Sequence, residues 1–184
     1  MTSNEVKQLL NESLRMLYDT DESAALSVFR TNERNITAQL LYPLRVNLLS
    51  RYDRYQIDHE YGRLKAPEGT PPESKTFSDS SGQMSRGMPD IIIHKRDVRV
   101  SEDEDANLLA IEVKLLPSFS GFIGRIGNKR LKERVEKDAR KLSQMKAESG
   151  KYQYRHTSLL IVTKTEVWAS IDADDYEVIF RLPA

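Results

Sequence analysis

Apolar positions recur with two different periods along this chain. Val6, Leu9, Leu10, Leu14 and Leu17 follow helical spacing over residues 4 to 18, and Asp19-Thr20-Asp21 is a start signal for a second short helix ending near Phe29. Asn32 is placed as the N-cap of a third helix, with Ile36, Leu40, Leu41, Leu44 and Leu48 on one face to about Ser50. Pro43 sits inside it, where it removes a hydrogen bond and imposes a kink. A strand is expected over about Gln56 to Arg63, carrying His59 and Glu60. Two apolar runs, over 89 to 96 and 107 to 115, read as a hairpin whose acidic turn, Ser101 to Asp105, faces solvent. Helical spacing returns over about Lys129 to Ala147, with Leu131, Val135, Ala139, Leu142 and Met145 as the stripe and the basic residues outside it. A buried strand over Thr157 to Thr163 and a terminal hairpin around Asp172 to Asp175 complete the pattern.

The order helix, strand, strand, strand, helix, strand predicts an α/β fold: a mixed central sheet flanked by helices, with extra N-terminal helices. At 184 residues one domain is expected. Residues 1–30 form a helical extension that either caps the core or makes a subunit contact. Residues 64–88, rich in Pro, Gly and Ser, are expected as a long flexible loop acting as a flap on the substrate side. A second loop is expected over Pro117 to Asn128. Cysteine is absent, which excludes disulfides, thiolate zinc sites and cysteine nucleophiles. The first ten residues lack the apolar core of a signal peptide, and no stretch has the length of a membrane span. A soluble, cytoplasmic protein is the expectation.

Pro89-Asp90 opens the run Ile91-Ile92-Ile93, and Glu112-Val113-Lys114 closes the run Leu108-Leu109-Ala110-Ile111. Side chains alternate along a strand, so Glu112 and Lys114 share a face. Neighbouring strands lie about 4.8 Å apart, so the Asp90 and Glu112 carboxylates can share one hard divalent cation while Lys114 reaches the same phosphate. The alternative is a structural ion pair between Glu112 and Lys114. Acid-x-Lys also occurs at Glu5-Val6-Lys7 and Glu73-Ser74-Lys75, so it is the strand context that singles out the third copy. The three histidines have no zinc-site spacing and read as structural or surface residues. Formal charge is zero, yet Gly121 to Arg155 holds eleven Lys or Arg against four acids, a net of +7. Such a patch suits a phosphodiester, although a solvated helix face with i,i+4 pairs has the same composition. Within and beside it, Arg125, Lys129, Arg130, Arg134 and Lys141, together with Arg86 ahead of Asp90, are the nucleic-acid-binding candidates.

The pieces Asn32-Glu33-Arg34, His59-Glu60-Tyr61, Pro89-Asp90-Ile91-Ile92 and Glu112-Val113-Lys114 together resemble the PD-(D/E)xK, restriction-endonuclease-like nuclease superfamily. Within it they are similar to a bacterial group with Asn-Glu-Arg, Glu-Tyr, Pro-Asp-Ile-Ile and Glu-x-Lys motifs, over roughly residues 30 to 165. The resemblance implies that superfamily's core and metal-dependent hydrolysis of phosphodiesters, with DNA as the substrate. It implies that Asp90, Glu112 and the Val113 carbonyl hold Mg²⁺ or Mn²⁺, with Glu33 and Glu60 in the near shell or on a second ion. Lys114 then positions water or neutralises the phosphate. From the residues alone, Glu33 in a first helical turn is better explained by simple compensation of the helix dipole. Two other readings stand beside the nuclease. One is a catalytically silent module of the same fold, binding nucleic acid or a protein partner in a defence or mobile-element system. The other is an assembly role, including a homodimer, for the N-terminal helices.

Overall fold

A computed structural model describes residues 1–20, 32–52, 54–59, 76–78, 84–86, 89–95, 106–116, 129–146, 153–163, 165–172 and 176–181. The periodicity of the first segment folds as helix α1 (Ser3–Thr20), and α2 (Glu33–Leu49) starts where expected, with the Asn32 side chain accepting from the Asn35 N–H. Pro43 is buried within α2, which continues past it. Helix α3 (Lys129–Lys146) is the third among the described residues. The strands are β1 (Gln56–His59), β2 (Thr76–Ser78), β3 (Met84–Arg86), β4 (Ile91–His94), β5 (Asn107–Leu115), β6 (His156–Val162), β7 (Glu166–Ile171) and β8 (Glu177–Arg181).

Six of them form one open sheet in the order β1-β4-β5-β6-β7-β8. The pair β5·β6 is parallel, with α3 in the crossover between the two strands, and the other four pairs are antiparallel. The protein is therefore α/β with a mixed sheet. Alternation sorts the sheet's side chains into two layers. Ile91, Ile93, Leu109, Ile111, Val113, Leu160, Val162, Val167 and Ala169 pack against the buried stripes of α1 and α2. Ile92, Ala110, Leu159 and Ile161 face the other way, against Val135, Leu142 and Met145 of α3. At about 0.8 kcal/mol for each buried methylene, these two faces are what hold the three layers together. The consequence for chemistry is direct: Glu112 and Lys114, in phase with Ala110, lie on the α3 side of the sheet.

The expected element order is observed, with differences in detail. The terminal hairpin is β7–β8, joined to the sheet through β6. Within the expected 64–88 loop, β2 and β3 pair antiparallel, with β-forming Thr76 and Phe77 in β2 and the Ser- and Gly-containing stretch 79–83 lying between them and Met84 in sequence. The acidic turn at 101 to 105, the short helix near 21 to 29 and the loop at 117 to 128 lie outside the described residues. Of the two roles considered for the N-terminal extension, the burial of Val6, Leu9, Leu10, Leu14 and Leu17 fits a core cap. A homodimer through α1 would have to use other residues of that helix.

One polar cluster joins the first residues of the chain to the sheet. Asp172, in a left-handed conformation (φ 62°) that aspartate tolerates, accepts from the Thr157 N–H at 3.1 Å and from the Ser3 hydroxyl at 3.0 Å. Its other contacts are His156 Nδ1 at 2.9 Å and Lys146 Nζ at 3.0 Å, while His156 Nε2 lies 2.7 Å from the Met1 carbonyl oxygen. His94 is likewise structural, 2.8 Å from Asp58. Burial alone would raise the Asp172 pKa, but the hydrogen bonds from His156, Lys146 and Thr157 outweigh it and hold the carboxyl well below its ordinary value of 3.8. A depressed folded-state pKa stabilises above the unfolded value and is lost as pH falls. Stability measured by urea titration should therefore decline below about pH 4 by up to about 1.4 kcal/mol per pH unit, and Asp172→Asn should flatten that decline.

Candidate functional site

The site lies where β5 runs past its neighbour β4. Their ladder ends at Ile91 opposite Ile111, so Asp90, one step further, stands opposite Glu112 and shares its face. The main-chain N–H groups of Val113 and Leu115 point to the β4 side beyond the last ladder pair. Two carboxylates satisfy them: Asp90 Oδ2 accepts from Val113 at 2.7 Å, and Glu33 Oε1 accepts from Leu115 at 3.2 Å. Glu33 reaches this point from the first turn of α2, on the opposite layer. Its contribution is thus more than dipole compensation, since it ties the helix start to the end of the strand.

Charged groups fill the space under α3. Lys114 Nζ lies 3.4 Å from Glu33 Oε2, 3.4 Å from Glu112 Oε1 and 3.3 Å from Asp138 Oδ2, on a side chain only 9% exposed. Lys141 Nζ lies 2.5 Å from Glu112 Oε2 and 3.8 Å from Asp138 Oδ1. Arg134 approaches Glu33 Oε1 at 3.6 Å. Burial dominates the electrostatics of the acids. It pushes Glu112 up to about 7 against the pull of Lys141, with Asp90 and Asp138 adding to the rise. Asp90 is raised for the same reason, against its bond from Val113 and the charges of Lys114 and Lys141. For Lys114 burial favours the neutral amine, yet Glu112, Asp138, Glu33 and Asp90 together overcome it and raise its pKa. Its three carboxylate partners thus favour the protonated ammonium.

Four of the residues that the sequence singles out, Glu33, Asp90, Glu112 and Lys114, therefore meet in one place, and Val113 lies among them with its N–H on Asp90. Glu60 and Arg125 lie outside the described residues, and of Arg86 and Arg130 only the backbone, in β3 and α3, is described. Lys129 and Arg134 are exposed on α3, as expected. Lys141 is a correction: expected on the outer basic face, it turns inward, where its ammonium meets the carboxylates of Glu112 and Asp138. Asp138 is not among the sequence candidates. Its only sequence signal is the spacing Arg134, Asp138, Lys141 along the margin of the apolar stripe of α3. The two i,i+4 pairs Lys129–Glu133 (4.0 Å) and Lys132–Glu136 (3.9 Å) match the solvated-face alternative for the outer side of α3.

Among the described residues no group of three or more His, Cys, Asp or Glu side chains is placed to hold a metal ion. A two-carboxylate donor set nevertheless fits Mg²⁺ or Mn²⁺, since Mg²⁺ is usually held by one or two carboxylates with waters and substrate phosphates. Asp90 and Glu112 are such a pair, and burial raises the pKa of both. An open depression lined by Asn32, Glu33, Arg34 and Leu115 adjoins the cluster. No described helix is long and apolar enough to cross a membrane. The fold and site together define an α/β protein with a buried acid–lysine cluster at the end of its central strands. No family model, no curated protein and no solved structure matches the chain.

Proposed function

We propose that this protein is a divalent-metal-dependent nuclease of the PD-(D/E)xK, restriction-endonuclease-like type, hydrolysing phosphodiester bonds in DNA. One observation carries the reading. Asp90 and Glu112 stand opposite each other on adjacent strands and on one sheet face, with Lys114 two residues further along that face. Asp90 and Glu112 would hold Mg²⁺ or Mn²⁺, with the Val113 carbonyl as the further ligand that the motif resemblance suggests. When bound, such an ion polarises the scissile phosphate and makes an attacking water more acidic. Lys114, kept protonated by its carboxylate neighbours, places positive charge against the phosphate oxygens as the P–O bond breaks. Glu33 fixes the Lys114 ammonium and the Leu115 N–H, and so orients the end of β5.

A second reading is favoured by a separate observation, because both oxygens of Glu112 already face ammonium groups. This closed ion-pair cluster suits a silent module that binds nucleic acid or a protein without cutting. Incubation with Mg²⁺ or Mn²⁺ on supercoiled, linear, single-stranded and branched DNA, and on RNA, separates the two. Cleavage abolished by chelation supports the nuclease, and no cleavage of any substrate supports the silent module.

The basic side of α3 is the proposed nucleic-acid face. Replacing Lys129, Arg130 and Arg134 by Glu should weaken binding to all DNA sequences about equally. Fluorescence titration at several salt concentrations should also show a shallower salt dependence, by about 0.9 in the log–log slope for each phosphate that is no longer neutralised. An unchanged affinity would assign the charges of α3 to its own i,i+4 pairs.

A further inference from the structure

Among the described residues Lys141 is the cation that approaches Glu112 most closely, and it does so on the oxygen left over by Lys114. Its Nζ is 2.5 Å from Oε2, Lys114 Nζ is 3.4 Å from Oε1, and the Lys141 side chain is only 15% exposed. A divalent ion on Glu112 needs one of these oxygens. The two lysines are not equally able to yield one. Lys114 is anchored by three carboxylates, Glu33, Glu112 and Asp138, and stands on a buried central strand. Lys141 stands on a covering helix, and it can leave Glu112 while keeping Asp138, now 3.8 Å away, as a carboxylate partner. The charges point the same way. Among the described residues, four carboxylates (Glu33, Asp90, Glu112, Asp138) face three cations (Lys114, Lys141, Arg134), a formal net of −1. That residual negative charge favours a cation at the site.

We propose that Lys141 is a built-in counter-cation of the site: it holds the Glu112 carboxylate in the metal-free chain, and a divalent ion binds only by displacing it. The inference rests on the reading of Asp90 and Glu112 as metal ligands. Metal affinity is then the outcome of a competition, and a ligand shifts an equilibrium only by its preference for one state over the other. The ammonium is a tethered competitor, always present at high local concentration. It keeps the buried carboxylate compensated while no metal is bound, and the freed side chain stays within reach of a phosphate brought in by the substrate.

Calorimetric titration of Mn²⁺ into the wild type, Lys141→Met and Glu112→Gln tests this. Lys141→Met should bind Mn²⁺ more tightly than the wild type by about tenfold, within the usual range of site couplings, and Mn²⁺ should raise its melting temperature by more. Equal affinity in wild type and Lys141→Met, with binding lost in Glu112→Gln, would overturn the competition while leaving the metal site in place. No binding in any of the three would overturn both. Should Lys141→Met fail to fold, the wild type still decides. In NMR of ¹⁵N-lysine-labelled protein titrated with Mg²⁺, the Lys141 ammonium should shift on saturation, and an unmoved Lys141 resonance would refute its displacement.

Discussion

Lys114→Met is expected to lower metal-dependent cleavage sharply and to destabilise the protein, with the second effect dependent on pH. The ammonium has three carboxylate partners within 3.4 Å on a side chain 9% exposed. Its removal leaves Glu112, Asp138 and Glu33 facing one another, with Lys141 and Arg134 as the remaining cations. Deleting one partner of a buried ion pair costs about 3 to 5 kcal/mol. That figure applies where the acids are ionised. Glu112 has its pKa pushed up to about 7 by burial, and a carboxyl with a raised folded-state pKa stabilises below its unfolded value, a contribution lost as pH rises through about 7. Loss of Lys114, one of the charges that lowers this pKa, raises it further, so at lower pH Glu112 carries a proton and suffers less from the missing ammonium. Urea unfolding should therefore show a larger loss at pH 8 than at pH 5.5. A loss independent of pH would mean that Glu112 is not the group left stranded. Cleavage by Lys114→Met at pH 8 should fall by about 10²- to 10³-fold, the usual cost of one group that stabilises transition-state charge. A variant that is destabilised yet fully active would make Lys114 a structural partner only.

Much of this architecture is legible in the chain because the buried strands are nearly continuous apolar runs. Ile91-Ile92-Ile93 and Leu108 to Ile111 have no alternative but a covered sheet, and the stripe from Val135 to Met145 supplies one of its covers. The face shared by Glu112 and Lys114 follows from alternation alone, and the N-cap at Asn32 from a side chain that can accept a hydrogen bond. What stays hidden depends on contacts distant in sequence. Nothing near Asp138 or Lys141 reveals that a strand some 29 residues earlier presents a buried carboxylate to that side of the helix. Both residues lie at the margin of an apolar stripe, where a half-turn decides between solvent and site. Asp172 illustrates the same point: it lies where the sequence predicts a turn, yet its partners Ser3, His156 and Lys146 come from an N-terminal helix, a central strand and a helix end. The hairpin β2–β3 is masked by composition, because Pro, Gly and Ser around it outweigh the few β-formers that pair.

Asp90→Asn is the cleanest separation of fold from chemistry at this site. The amide oxygen of asparagine can still accept from the Val113 N–H, so the end of β5 keeps its cap, while the negative charge offered to a cation disappears. Because burial raises the Asp90 pKa, the charge contributes little to stability, and the melting temperature should stay near that of the wild type. Metal affinity should fall by at least about 10- to 100-fold, the loss seen even for residues that only support metal ligands, and cleavage should disappear with it. Isothermal titration of Mn²⁺ into the wild type and Asp90→Asn, at pH 8 and with folding of both checked by circular dichroism, tests the metal site most directly. Saturable binding to the wild type is expected, with binding at least about tenfold weaker in Asp90→Asn; equal affinity in the two folded proteins, or none in the wild type, would contradict a metal site built on Asp90 and Glu112.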